Sequence, residues 1–198
     1  MTKKARIQAE YFLHQIHWNN AQSLLATRDK GGSDEGALET TALLLVSFAS
    51  EALANRLLEI GCPVEYADER KFFRDAPYQG TPGKLRFLAD KLQVPIDPGA
   101  RPFQSLRTLF TWRDKMVHAR VERFDEVVAF IDPSKVEAPE SELLNFAPIH
   151  GAQLMADVEQ LANLIQGAAL SARWPKIYGP QAFNHITSTR GIDLSGRS

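Results

Sequence analysis

Residues 39–60 read ETTALLLVSFASEALANRLLEI, and this stretch decides the fold. Its apolar residues, among them Leu43, Leu44, Leu45, Val46, Phe48, Leu53, Leu57 and Leu58, fall on nearly every side of a helical wheel. A helix apolar around its circumference is packed on several sides, so the stretch predicts the central helix of an all-α bundle. Gly61 and Pro63 close it, since glycine suits a helix end and proline cannot continue one.

Toward the N-terminus, Ile7, Tyr11, His14, Trp18, Ala21 and Leu25 recur at helical steps and predict a helix over 4–28, stopped by Gly31 and Gly32. In the other direction, residues 64–81 are mixed in character, with a short helix expected over 68–75. Thr81-Pro82-Gly83 reads as an N-cap and first-turn proline for a short helix over 84–92, ended by Pro95, Pro98 and Gly99. A helix over 102–120 carries Leu106, Leu109, Phe110, Met116 and Val117 on one face. The pattern then breaks: a short extended piece is expected over 126–131 and a proline-punctuated loop over 132–140. A last helix over 149–173 shows Leu154, Val158, Leu161, Ile165 and Ala168 as its stripe, and beyond Pro175 a loosely held tail is expected.

No strand–helix alternation builds a parallel sheet. The architecture predicted is an antiparallel helical bundle of four main helices plus short helices and a loop-rich insertion. It forms one domain over 1–175 with a tail over 176–198. A chain of 198 residues with 44% hydrophobic residues suffices for one such core.

The lone cysteine, Cys62, excludes an internal disulfide and a multi-cysteine zinc cluster. The longest unbroken apolar run, residues 42–46, is too short to span a bilayer, and no apolar signal core follows the basic opening. The expectation is a cytoplasmic protein without membrane contact. A glycine-rich phosphate loop, a Gly-x-Ser-x-Gly elbow and a His-Glu-x-x-His helix are all absent. His14 and His17 have a spacing that could suit a metal, but His14 lies in the apolar stripe of its helix, which favours core packing.

A net charge of −1 gives no general attraction for nucleic acid, so such a function must rest on local charge. Between 101 and 123, six basic residues (Arg101, Arg107, Arg113, Lys115, Arg120, Arg123) face two acids (Asp114, Glu122), a local charge of +4. Inside this run lies Trp112-Arg113-Asp114-Lys115-Met116-Val117-His118. Three Arg-Asp pairs occur in the chain, at 28–29, 74–75 and 113–114, and only the last has the following histidine and lies well inside a periodic helix. On that helix Asp114 and His118 share a face, whereas Arg113 lies about 140° from His118 and points toward the apolar side. A guanidinium there needs an acceptor. Glu51 offers one, since it lies on the same helical line as Leu44, Phe48 and Asn55. Glu51, with Asn55, is expected to orient Arg113; the pair could equally do no more than fix helix register.

An arginine, then a polar residue, then a histidine a few positions on, near the end of a bundle helix, resembles the signature of the HEPN superfamily. Arg113, Asp114 and His118 carry the likeness, which covers most of residues 1–173 and leaves the 64–81 insertion and the tail outside. Asp114 stands where the family more commonly has asparagine. The resemblance implies a metal-independent endoribonuclease without cofactor, in which the substrate's own 2′-hydroxyl attacks the adjacent phosphorus. In it His118 transfers the proton, Arg113 stabilises the phosphate, and Asp114 holds the imidazole or caps local charge. Arg107, Lys115, Arg120 and Arg123 would contact RNA. It further implies a homodimer that brings two motifs together and, in toxin–antitoxin or phage-defence settings, an antitoxin protein as partner. The alternative is a non-catalytic HEPN-like binding or scaffolding module.

Overall fold

Strand β1 (Arg6–Tyr11) opens the described chain and is followed by helices α1 (Leu13–Arg28), α2 (Glu35–Gly61), α3 (Pro63–Ala67), α4 (Glu69–Phe72), α5 (Gly80–Lys91), α6 (Phe103–Val117) and α7 (Glu142–Ser171), then strand β2 (Ser188–Asp193). The structure is a computed structural model and describes residues 6–30, 35–118, 141–183 and 188–193. Arg120, Arg123, the extended piece expected over 126–131 and the loop over 132–140 lie outside the described residues.

The fold is an all-α bundle with α2 at its centre, in contact with α1, α3, α5, α6 and α7. Leu43, Val46, Leu53, Leu57 and Leu58 of α2 are fully buried, each contributing about 1.5–3 kcal/mol relative to exposure. Phe48 departs from the all-round burial: it is 39% exposed and meets His17. By length and composition α2 could cross a bilayer, although the longest unbroken apolar run within it is short; here its buried face packs against the other helices.

The helix expected over 4–28 begins only at Leu13, because residues 6–11 pair antiparallel with β2, Arg6 opposite Asp193 and Tyr11 opposite Ser188. Pairing with a segment at the far end of the chain overrides the helical spacing of Ile7 and Tyr11. The described part of the tail is likewise not loosely held. Ala182 and Phe183 are buried, and Phe183 stacks on Trp18 at 4.1 Å between ring centroids. Gln166 Nε2 donates to the carbonyls of Gly179 and Gln181, and the Ala182 amide donates to Asn163 Oδ1. Trp174 lies so close to Gly61 that a Cβ there would fall 2.1 Å from its ring. Gly61 is therefore required for this contact and is the last residue of α2, not a residue beyond its end.

Helix α7 starts earlier than the sequence suggests and contains Pro148. Ser141 Oγ caps it by accepting from the Leu144 amide at 3.2 Å. An internal proline costs about 3 kcal/mol. Packing around it opposes that cost: Ala147 is buried, Phe146 stacks on Trp112 at 5.4 Å, and Trp112 Nε1 donates to the Leu143 carbonyl. The expected short helix over 68–75 is the single turn α4, and α3, just before it, is unexpected. Helix α5 begins at Gly80, with Gln79 and not Thr81 at the N-cap position, and the first turn tolerates Pro82 because amides there need no intrahelical partner. Gly83 packs directly on the Tyr78 backbone, where a Cβ would lie 1.9 Å from the carbonyl carbon. That contact folds the α4–α5 connection onto α5 and fixes the rim of the site described next.

Candidate functional site

Helix α6 buries Leu106, Leu109, Phe110 and Trp112 against the bundle. Met116 is half-buried and Val117 is exposed, so the apolar face expected to run through them fades one turn before the helix ends. Arg113 sits at the edge of this face, its side chain 20% exposed. Its Nη2 donates to Glu51 Oε2 at 3.0 Å and its Nη1 to Asp114 Oδ1 at 2.8 Å. The guanidinium carbon lies 5.1 Å from the centre of the Phe110 ring, and Nε is buried without a partner. Glu51 thus stands where the helical wheel placed it, as the acceptor for an inward-pointing arginine.

Asn55 does otherwise. Its Oδ1 accepts from Lys84 Nζ at 2.7 Å, and Lys84, which is buried, also pairs with Glu69. Asn55 therefore holds a lysine of α5 and does not orient Arg113. One helical turn along α2 separates it from Glu51, enough to bring it opposite α5.

His118 caps the C-terminal end of α6, where its amide donates to the Asp114 carbonyl at 3.0 Å, and its side chain is exposed. The Asp114 carboxylate turns to Arg113. Of the two roles expected for it, balancing local charge matches this contact, while its link to His118 runs through the backbone.

Two clefts flank α6. One, about 740 Å³, runs between α6 and the start of α7 and is lined by Arg107, Thr111, Lys115 and His118 together with Glu142 and Phe146. The other, about 730 Å³, lies between α2, α4, α5 and α6 and holds Glu51, Arg113 and Asp114 with Arg70, Arg74 and Lys84. Arg107 and Thr111 line both and form the ridge between them. Arg113 and His118 accordingly open onto adjoining clefts, as side chains about 140° apart on one helix must.

Of the basic run, Arg107 and Lys115 line this site, whereas Arg101 is bound by Asp157 through Nε at 2.6 Å and Nη2 at 2.8 Å. Asp157 is buried and also accepts from Ser105 and Gln153. The Arg101 hydrogen bonds hold its carboxyl below the usual range, aided by Ser105 and opposed by burial. Sequence reasoning missed Arg70 and Arg74, which come from the mixed 64–81 segment and reach the site only because α4 folds back toward α5 and α6. Nothing in the local pattern marks them.

His14 is a core residue. It is buried, its ring lies 6.1 Å from Phe12 and 6.5 Å from Phe183, and burial, with the Arg56 charge second, lowers its pKa to about 3. Among the described residues no group of three or more His, Cys, Asp and Glu side chains is placed to hold a metal ion. Compared with known protein families, curated proteins and solved structures, the chain matches none.

Proposed function

We propose that the chain is a metal-independent endoribonuclease of the HEPN type, cleaving RNA by attack of the ribose 2′-hydroxyl on the adjacent phosphorus. The observation that carries this reading is Arg113, held by Glu51 and Asp114 on the same helix that presents an exposed His118 at its end. Imidazole titrates near neutrality and suits removal of the 2′-proton. As the 2′-oxygen bonds to phosphorus the P–O5′ bond breaks, and the leaving 5′-oxygen takes up a proton from water. Arg113 offers a fixed positive charge where negative charge builds on the phosphate. Of its five N–H donors, Glu51 and Asp114 engage one each and Nε is sealed, leaving two Nη hydrogens for a phosphate oxygen. Because the nucleophile belongs to the substrate, the reaction requires no metal-bound water, and DNA, lacking that hydroxyl, is a poor substrate.

In this reading His118 and Arg113 act at one ribose–phosphate linkage, because the attacking 2′-hydroxyl and its phosphorus belong to the same linkage of the strand. A homodimer, as the HEPN resemblance implies, would place two such motifs in one composite cleft. An antitoxin partner, a role in toxin–antitoxin or phage defence and a cytoplasmic setting belong to the same proposal. The purified protein is expected to cut single-stranded RNA in EDTA, leaving 2′,3′-cyclic phosphate ends. Arg113→Ala and His118→Ala should each reduce the rate about 10²-fold or more while the helical circular dichroism signal persists. Failure of the wild type on a broad RNA panel, or activity only with added Mg²⁺, would reject it.

The second reading, a non-catalytic HEPN-like module, is favoured by one observation: Arg113 and His118 line different clefts. Wild-type protein that binds RNA and leaves it intact is the outcome that selects this reading.

A further inference from the structure

The cleft between α4, α5 and α6 contains more positive charge than its ion pairs use. Its lining includes Arg70, Arg74, Lys84, Arg107 and Arg113 against Glu51, Glu69 and Asp114. Glu69 is taken by Lys84, and Glu51 and Asp114 by Arg113. Arg70, Arg74 and Arg107 are left with no carboxylate partner among the described residues, all three exposed toward one concavity. Convergent like charges are unfavourable without an anion between them.

A second, independent observation lies on the opposite wall. The twelve-residue helix α5 opens into the cleft with Gly80, Thr81 and Pro82. Thr81 is only 6% exposed, lines the cleft, and its hydroxyl has no hydrogen-bond partner among the described residues. Gly80 adopts φ +63°, and its amide donates to the Phe73 carbonyl, tying α4 to the start of α5. An unpaired hydroxyl on a largely buried residue, opening into the cleft at the positive end of a helix and facing three guanidiniums without a carboxylate partner among the described residues, matches a phosphate's needs. Arginine forks bind its oxygens in pairs, and the helix dipole favours its charge.

We infer that this cleft is a phosphate-binding site, with Arg70, Arg74 and Thr81 as ligands from segments outside the HEPN likeness. Its source is either the backbone of an RNA strand or the phosphates of a free nucleotide. The inference deepens the function proposed above by adding a substrate-holding subsite, and it concerns binding, not cutting.

The test uses the full chain, single-stranded RNA with 2′-O-methyl riboses so that no cleavage can occur, and ATP as competitor. Affinity for the RNA is measured across a salt series for wild type, Arg70→Ala/Arg74→Ala, Arg70→Lys/Arg74→Lys and Thr81→Val. Each phosphate contact on a single strand contributes about 0.7 to the slope of log affinity against log salt, so losing two should reduce the slope by about 1.4. The double lysine variant should keep most of the slope, and Thr81→Val should weaken binding with the slope unchanged. ATP displacing the RNA through the same arginines assigns a nucleotide site; RNA binding that ATP leaves intact assigns the strand backbone. Unchanged affinity and slope in the double alanine variant, or a wild type that binds neither probe, overturns the inference. If that happens while unmodified RNA is still cut, the nuclease reading survives alone. A lost slope with no cutting by wild type leaves the subsite and removes the nuclease.

Discussion

Removing the Glu51 carboxylate tests whether Arg113 is positioned by α2 or merely rests beside it. Two unit charges about 4 Å apart attract by about 4 kcal/mol at an effective dielectric of about 20. Much of that is offset here, because the Glu51 side chain is 39% exposed and the Arg113 side chain 20%. Exposed pairs are worth about 0.2–1 kcal/mol, and deleting one partner of a fully buried pair costs about 3–5 kcal/mol. A half-buried pair falls between, and Asp114 continues to neutralise Arg113 when Glu51 is gone. The expected coupling from a cycle of Glu51→Ala, Arg113→Ala and the double variant is therefore roughly 1–2 kcal/mol. For a chain of 198 residues, Glu51→Ala alone should lower Tm by roughly 2–8 °C. Urea unfolding followed by far-ultraviolet circular dichroism reads the coupling free of the Phe110 contact, which cancels in the cycle. A coupling below roughly 0.3 kcal/mol, within the additivity of unrelated sites, would refute the account of both residues.

His14 provides a pH signature. Its pKa is lowered to about 3 from an ordinary 6.5, so between these values the unfolded chain binds a proton that the folded one refuses. Stability is then full above about pH 6.5 and falls with acidification at up to about 1.4 kcal/mol per pH unit. His14→Gln should flatten this dependence between about pH 6 and 5, above the carboxylate range; an unaltered slope would contradict burial of a neutral imidazole. Phe183→Ala should cost about 3 kcal/mol, because it removes a buried ring stacked on Trp18. A change under about 1 kcal/mol in urea titration would show that residues near 183 are not part of the core.

The legible parts of this chain are those set by local pattern. The spread of apolar residues around nearly the whole circumference of 43–58 marked the central helix, and the position of Glu51 on that helix pointed to Arg113. What escaped depends on non-local partners. Residues 7–11 alternate apolar and polar as a strand does, yet Ile7 and Tyr11 also satisfy the helical step, and only pairing with residues 188–193 decides between them. Pro148 suggested a boundary because the cost of an internal proline is local, whereas the Trp112–Phe146 contacts that oppose it are not. Arg101 was counted with the basic surface because its neutralising partner, Asp157, lies 56 residues away in the chain.

Charge at the site gives the segment over 64–81 a part in the proposed phosphate binding that its sequence does not suggest. Glu51, Arg113 and Asp114 together carry −1, so the motif's own arginine, in isolation, sits in a region that repels phosphate. Lys84 and Glu69 cancel, and Arg107 brings the sum only to zero. The cleft becomes attractive to a polyanion, at +2, when Arg70 and Arg74 are added, and both come from that segment. The two carboxylates fix where the Arg113 fork points, while the arginines opposite supply the field that draws an anion to it. Positioning and attraction are thus carried by different residues, and a protein reduced to the Arg–His motif would keep the first without the second.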